Sequence, residues 1–449
     1  MNYQSDHIHT TGTLKQKDFM FPDEYSSIIN DFEVELHRNR QILDQLTNEW
    51  DQLAITADTT VYMTPEWINN WWKHFGDNTW RSLHIITVRH RGNLIAFAPF
   101  YQGTTSVYGH TFEKRLQLIG SGGSPNERFG FREDYGISDF LDILVHPDYT
   151  AQVARLLAGR LIDETDNVDS ILFHQLREDS FVIQHLYPML KRSSLFLHLK
   201  HTDTCPYIDL DGQQSVNGYV KQVKSNARRR FRQTLKAAGP GGQFTVEPVN
   251  DSAAIEHDTK TMIELHQQRW NELGFPGVFS DERFELFFKE LLFLMKKKNR
   301  LWYKKAVDEN GTSALRMMIE FNGRYYDYIS GFDTASPSSK FRPGYGILLA
   351  SVEDALKSGI SRIELLRGEE GYKYDFTSVS VKNYAITIRK NKRKRAGQKL
   401  MHLLSLAYVT AAKEVRVFRV NRHLYSWPAR VVRYVKFRTR AVREKLAKI

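Results

Sequence analysis

The 449-residue chain holds one cysteine, Cys205. A disulfide framework and a cysteine zinc site are thereby excluded, and a reducing compartment is the plain expectation. No apolar run approaches the ~18 residues of a membrane-spanning helix. The longest candidate, Leu400 to Ala412, is interrupted by His402, Ser405, Tyr408 and Thr410. The N-terminal segment MNYQSDHIHTTGTLKQKD has no apolar signal core, so a cytoplasmic protein is expected. The histidines show no H-E-x-x-H or comparable spacing, so no metal is expected. Acids are nearly absent from the end of the chain: residues 389–449 hold 19 Lys/Arg against Glu414 and Glu444. That stretch carries +17 of a total of +11, which leaves −6 for the other 388 residues. Such asymmetry points to an acidic partner for the tail. In WPARVVRYVKFRTRAVREKL (427–446) aromatic and branched residues alternate with Arg and Lys, the pattern of a helix lying on a membrane surface. Each basic residue near an anionic leaflet is worth about 1 kcal/mol. Peripheral contact at the inner membrane face through residues 390–449 is therefore favoured over nucleic acid. A solvated helical extension is the alternative.

What is present is enough apolar and aromatic residue for sizeable cores, and a length that suggests two or three domains. Residues 25–58 read as helical, with Leu36, Ile42, Leu43, Leu46, Trp50 and Leu53 near helical spacing. Thr64-Pro65-Glu66 starts an aromatic helix through Trp67, Trp71, Trp72 and Phe75, which reads as core rather than a sugar-stacking platform. Runs 83–90 and 94–101 form a hairpin; further strands are expected at 116–120, 140–145 and 169–176. Beyond Cys205-Pro206 come a basic helix (216–238), helices over 251–273 and 281–297, and strands 301–307, 313–321 and 324–332. Asn322-Gly323 is the strongest short hairpin signal. An amphipathic helix follows Arg342-Pro343-Gly344-Tyr345-Gly346, with strands at 362–366 and 384–390. The halves echo each other: a Trp-containing helix stopped by Gly, a strand, a turn and a second strand.

Two constellations carry chemistry. The glycine turn 342–346 lies between a strand and a helix start, where free N–H groups and the helix dipole favour an anion. Glycines let backbone approach a phosphate closely; a plain turn is the alternative. The loop Arg367-Gly368-Glu369-Glu370-Gly371-Tyr372-Lys373-Tyr374-Asp375 follows a strand end, where ligands bind in open α/β sheets. It supplies acid, base and anion-clamping groups. The basic helix, with Lys221, Lys224, Arg228, Arg229, Arg230, Arg232 and Lys236, fits a coenzyme phosphate, RNA or a solvated face. His266 and Arg269 share a face near Trp270, as acceptor lining or as a packed histidine. Cys205 reads as structural.

The block GFDTASPSSKFRPGYGILLASVEDALKSG, with IELLRGEEGYKYDF after it, resembles the GNAT acyltransferases of bacterial cellulose and exopolysaccharide biosynthesis, the CelD-like type. TPEWINNWWKHFG, KSNARRRFRQTLKAAG and LHQQRWNELGFPGVF resemble that family's earlier segments, so the likeness spans roughly residues 55–388. It implies an α/β (α+β) chain with two tandem GNAT-like acyl-CoA N-acyltransferase domains and a basic helical C-terminal extension, distantly FemAB-like. The divisions expected are 1–54 (leader and N-terminal helix), 55–204, 205–389 and 390–449. By the same resemblance Arg342, Gly344, Tyr345, Gly346 and Arg367 would bind acetyl-CoA or another acyl-CoA. Glu369 or Asp333 would accept a proton, Tyr372 would donate one to sulfur, and Lys373 would bind an acidic group or act as a covalent nucleophile. The acceptor would be a small molecule or glycan. The general GNAT turn has Gln or Arg three residues before its first glycine; here that position is Phe341, with Arg342 next. The alternatives are aminoacyl transfer from charged tRNA, as in FemAB-type peptidyltransferases, and a non-catalytic GNAT-like module tethered by its tail.

Overall fold

A computed structural model describes residues 31–76, 81–107, 110–122, 136–274 and 277–390. The leader expected at the start of the chain, most of Ser121-Gly122-Gly123-Ser124-Pro125-Asn126, whose glycines look like a phosphate loop but which no helix pattern directly follows, and the basic tail beyond Lys390 lie outside them.

The first half runs β1 (Phe32–His37), α1 (Gln41–Gln45), α2 (Thr47–Thr56), α3 (Pro65–Trp71), β2 (Arg81–His90), β3 (Asn93–Val107), β4 (His110–Leu118), β5 (Leu144–Val145), α4 (Thr150–Glu164), β6 (Ser170–Arg177) and α5 (Tyr187–Leu190). Strand β7 (Phe196–Asp209) leads into α6 (Val216–Gln222), α7 (Ser225–Ala237), β8 (Thr245–Pro248), α8 (Ser252–Glu272) and α9 (Glu282–Lys297). Then come β9 (Leu301–Asp308), β10 (Gly311–Phe321), β11 (Arg324–Phe332), α10 (Pro343–Lys357), β12 (Arg362–Glu364), α11 (Lys373–Phe376) and β13 (Ser380–Arg389).

One sheet runs through both halves in the order β1-β2-β3-β4-β6-β13-β7-β12-β11-β10-β9-β8. Each half has an antiparallel meander, β2-β3-β4 or β9-β10-β11, then a helix and a strand parallel to the meander's last member. The parallel contact covers three residues in both: Arg115↔Ser170 to Gln117↔Leu172, and Arg324↔Arg362 to Tyr326↔Glu364. The loose sequence echo is thus a repeated topology. The centre of the sheet is β7 beside β13, paired from Ser380↔Pro206 to Arg389↔Phe196. β13 also pairs with β6, so the last described strand of the chain closes the first half.

Several expectations change. The helical reading of 25–58 fails at its start, because Phe32–His37 is a strand on β2. Phe32, Val34 and Leu36 alternate with Glu33 and Glu35, the period of a strand. The basic helix is two helices, divided by the extended residues Val223 and Lys224. The strand expected at 140–145 shrinks to Leu144–Val145; ahead of it Phe140 is left-handed and the Asp142 carboxylate accepts the N–H groups of Phe181 and Val182. β7 passes unbroken through Cys205-Pro206, and the Cys205 side chain is buried. Trp67 and Trp71 are fully buried, as a core helix requires.

Helix α9 shows why the halves adhere. Phe284, Phe287, Phe288, Leu291, Leu292 and Met295 form its buried face at helical spacing. Asp281 caps it, with acids in its first turn and Lys296 and Lys297 in its last. That face meets α3: the Trp67 and Phe287 rings are 5.3 Å apart, and Asn70 donates to the Phe287 carbonyl at 3.0 Å. Beside it Arg300 reaches Glu66 (3.0 Å) and Asp51 (3.2 Å).

A chain ending at residue 379 lacks β13, leaves β6 and β7 as open edges, and should lose the near-UV circular dichroism of the first-half tryptophans that a chain ending at residue 390 keeps. An unchanged near-UV spectrum in the shorter chain would show that the first half closes by itself.

Candidate active site

The site begins where β11 and β12 part. They pair only up to Tyr326↔Glu364; β11 then continues to Phe332 on β10 alone, while the other strand turns away at Leu366, in the left-handed region at φ 58°. Parallel neighbours that separate at their carboxyl ends open a crevice, the position in which α/β sheets bind ligands. Departure strips the carbonyls of that segment of sheet partners, and such groups must be satisfied elsewhere. The buried Lys373 does this: Nζ donates to the carbonyls of Leu366 (3.3 Å), Arg367 (2.8 Å) and Gly368 (3.4 Å) and lies 3.0 Å from a Glu370 oxygen. A role as covalent nucleophile would require all of these contacts to break.

An ionic and aromatic ladder runs away from Lys373 across the crevice. A bulge between Met317 and Met318 sets Asp327 opposite Met318, on the face that carries Arg316, and the two charges form a buried ion pair. Burial raises the Asp327 carboxyl, with Arg316 and Lys373 opposing. The Arg316 guanidinium sits 5.9 Å from the Tyr372 ring, and Tyr372 is 6.5 Å from Tyr345. Tyr345 donates to Asp375 Oδ2 at 2.7 Å, and Asp375 pairs with Arg230 of α7. Burial pushes the Tyr372 phenol up to about 12, so it stays protonated and can act as a hydrogen-bond donor. Sequence reading missed Arg316 and Asp327. The signal was there: each is a charge in the middle of a largely apolar strand flanked by tight turns.

At the glycine turn Arg342 takes a left-handed conformation and α10 starts at Pro343. The N–H groups of Tyr345 and Gly346 return to the Arg342 carbonyl. The Gly344 N–H has no partner among the described residues, and open space surrounds the Gly344 Cα. Gly346 differs: a Cβ there would lie 2.7 Å from the Phe244 ring, so this glycine serves packing. Phe341 packs against the same core, and its carbonyl accepts the Thr234 hydroxyl. An open cleft of about 600 Å³ lies between the start of α7 (Lys224, Ser225, Asn226) and the loop residues Gly371 and Tyr374. A second groove of about 470 Å³ follows the outer face of α7 past Arg228, Arg229, Arg232 and Lys236.

The structure thus joins the turn and the loop through Tyr345 and Tyr372. Glu369 is exposed at the loop tip beside Tyr374. Asp333 is set apart at the end of β11, where its carboxylate accepts the Ala335 N–H at 2.8 Å. Arg367 points the other way, to the Gly136 carbonyl and Asp139 of the first half. His266 is buried, accepts from Trp270 Nε1 at 3.0 Å, and is pushed down to about 4 by burial. Among the described residues no group of three His, Cys, Asp or Glu could hold a metal ion, and no helix is long and apolar enough to cross a membrane.

Residues 225–374 match the family model described as the acetyltransferase (GNAT) domain. The second half of the chain therefore carries a GNAT acetyltransferase domain, and the α/β architecture around it repeats that domain's topology in the first half. Among solved structures the chain is similar to FemX, at TM-score 0.54 and 11% identity over 83% of this chain and 100% of that one. It also matches L-PGS from Bacillus licheniformis (TM-score 0.47, 11% identity, 83% of this chain and 98% of that one). A tandem GNAT protein from the clavulanic acid biosynthesis pathway matches at TM-score 0.40 and 11% identity, over 79% of this chain and 98% of that one. No curated protein matches the chain by sequence.

Two measurements follow. Gly344→Ala should leave stability equal or up to about 1 kcal/mol higher, since Ala favours the helix and meets no atom. Gly346→Ala should cost about 1–3 kcal/mol through overpacking on Phe244; urea unfolding of both variants reads the difference. His266 is neutral in the native state, so its contribution is present above its ordinary pKa of 6.5 and is lost as pH falls toward 4. Between pH 7 and 4.5, His266→Gln should lose about 2 kcal/mol less stability than the wild type.

Proposed function

We propose that the protein is an acyltransferase that moves an acyl group, acetyl in the first instance, from acyl-CoA to an amine or hydroxyl of a small molecule or glycan. The observation that carries this reading is the parting of β11 and β12 directly beside the start of α10. A pantetheine arm laid in that crevice finds unpaired strand backbone, and its pyrophosphate meets the Gly344 N–H, Arg342 and the positive end of a 15-residue helix. The cations of α7 stand near for the remaining phosphate. Direct transfer then needs three things. The acceptor loses a proton, to Glu369 or, through water, to Asp333. Its nitrogen or oxygen forms a bond to the thioester carbon as the C–S bond breaks. The leaving thiolate takes a proton from Tyr372. Arg367 and Lys373 hold the loop in which Tyr372 lies. In this reading residues 55–204 and 205–389 are the two transferase-like units. A role in cell-envelope polysaccharide metabolism, at the inner membrane face, follows from the resemblance and from the basic tail.

A second reading, aminoacyl transfer from charged tRNA, is favoured by α7. Residues 212–246 contain seven Lys/Arg and no acid, and the second groove follows these cations.

Millimolar coenzyme A should raise the melting temperature by a few degrees, as binding to the native state alone requires. Gly344→Glu and Arg342→Glu should abolish the shift. No shift in the wild type overturns the acyl-CoA reading, and a shift that survives both substitutions moves the site elsewhere. Flotation with anionic vesicles should be lost on removal of residues 391–449; equal flotation removes the membrane role.

A further inference from the structure

The ion pair Arg316–Asp327 is buried in the middle of a sheet, with side-chain exposures of 7% and 4%. Apolar residues of similar volume in place of a buried pair are often neutral or stabilising, so stability alone does not call for one. The backbone is bent to form it. Arg316 pairs with Ser330 and Met317 with Ile329, a register that would set Asp327 opposite Ile319, on the face that packs into an apolar core. The bulge shifts the register by one residue. Met318 then faces Asp327, and the carboxylate crosses to the side of Arg316. Bulges that re-aim a side chain in this way are frequent beside active sites.

The surroundings of the pair show what it serves. Arg316 Nη1 donates to Asp327, and the buried Nε has no hydrogen-bond partner. The guanidinium lies 5.9 Å from the ring of Tyr372, the residue that gives its proton to sulfur in the transfer steps above. The other charges bearing on this phenol are negative: Asp327 from β11 and Glu370 from the loop. Lys373 is committed to three carbonyls and to Glu370. Arg316 is the positive group that offsets the two acids. A phenol that has lost its proton leaves an anion in an enclosed crevice, and an enclosed anion without a counter-charge is costly. Burial works against that ionisation, while the charge of Arg316 and its hydrogen bond to Tyr372 work for it.

We propose that Arg316 and Asp327 are positioning residues for Tyr372: the guanidinium orients the phenol and carries the negative charge left on it when the thiolate takes its proton. The inference rests on the acyltransferase reading and adds to it a pair from β10 and β11. As the S–H bond forms, the O–H bond of Tyr372 breaks, and the charge passes from sulfur to the phenol oxygen. The phenolate regains a proton from solvent, to which the carboxylate that deprotonated the acceptor gives one up. Asp327 acts through Arg316. It fixes the guanidinium and keeps the resting site neutral, so that the phenol holds its proton until the thiolate appears.

Either single substitution would strand a buried charge, so the test joins Arg316→Met to Asp327→Val in the full chain. This double variant should melt no lower than the wild type and keep the coenzyme A melting shift; a large drop in melting temperature would assign the pair to stability and overturn the proposal. With 3-fluorotyrosine in place of tyrosine, the fluorine resonance that Tyr372→Phe removes reports the ionisation of this phenol. Its midpoint should rise by about one pH unit in the double variant. A pair that only packs leaves the midpoint in place, and that result overturns the proposal whatever the activity. Release of thiol from acetyl-CoA, with hydroxylamine as the probe acceptor, gives the second readout. Tyr372→Phe should lower kcat about 100-fold. The double variant should lower it about tenfold at unchanged KM for acetyl-CoA, and joined to Tyr372→Phe it should add no further loss. Losses that multiply, or wild-type kcat in Tyr372→Phe, overturn the proposal. If coenzyme A gives no melting shift, the acyl-CoA reading fails, and the fluorine midpoint still decides whether the pair acts on Tyr372.

Discussion

The ladder between β7 and β13 holds the molecule together. β7 gives its first part to β13 and its last three residues, Tyr207–Asp209, to β12. A single strand therefore belongs to both halves, and the twist of one is passed to the other through continuous backbone hydrogen bonds. The aromatic contact of α3 with α9 and the Arg300 ion pairs then close the same two bodies on a second layer. Because the halves are fixed by sheet and core together, the seam between them is a place where groups from each can be held in register.

That rigidity explains the division of labour at the crevice. Two strands that separate pay for it in unsatisfied carbonyls, and the Lys373 ammonium, held by three of them, offsets this cost locally. The ladder from Asp327 to Arg230 then ties the loop to α10 and α7, so that the turn at Arg342 and the phenol of Tyr372 keep a fixed relation. On the other side, Arg367 ties the same loop to Gly136. A short loop thus reads the position of three separate elements.

Much of this was legible in the residues. The hairpins announced by Asn322-Gly323, the Pro-started helices and the apolar face of α9 all follow from local chemistry and stand where expected. The glycine turn was found, but its two glycines looked alike: only the Phe244 ring beside Gly346 and the open space at Gly344 tell them apart. Lys373 and Arg367 were picked for their charge and loop position. Lys373 is held by carbonyls of its own loop that the parting of two strands leaves unpaired, and Arg367 by a carbonyl and a carboxylate of the distant segment Gly136–Asp139, neither of which spacing along the chain encodes. The strand β1 was missed because helical spacing farther on drew in Leu36, although the two-residue alternation of Phe32, Val34 and Leu36 was readable.

The placement of β13 has a consequence for the order of events during synthesis. β6 ends at Arg177, and the strand that covers its outer edge is finished only at Arg389. At ~5–20 residues per second, the ribosome needs on the order of 10–40 s to bridge that interval. For that time the nascent first half presents an open, apolar strand to the cell, so its maturation waits on the translation of a segment about 200 residues downstream, and any pause in between lengthens the window for aggregation or chaperone capture.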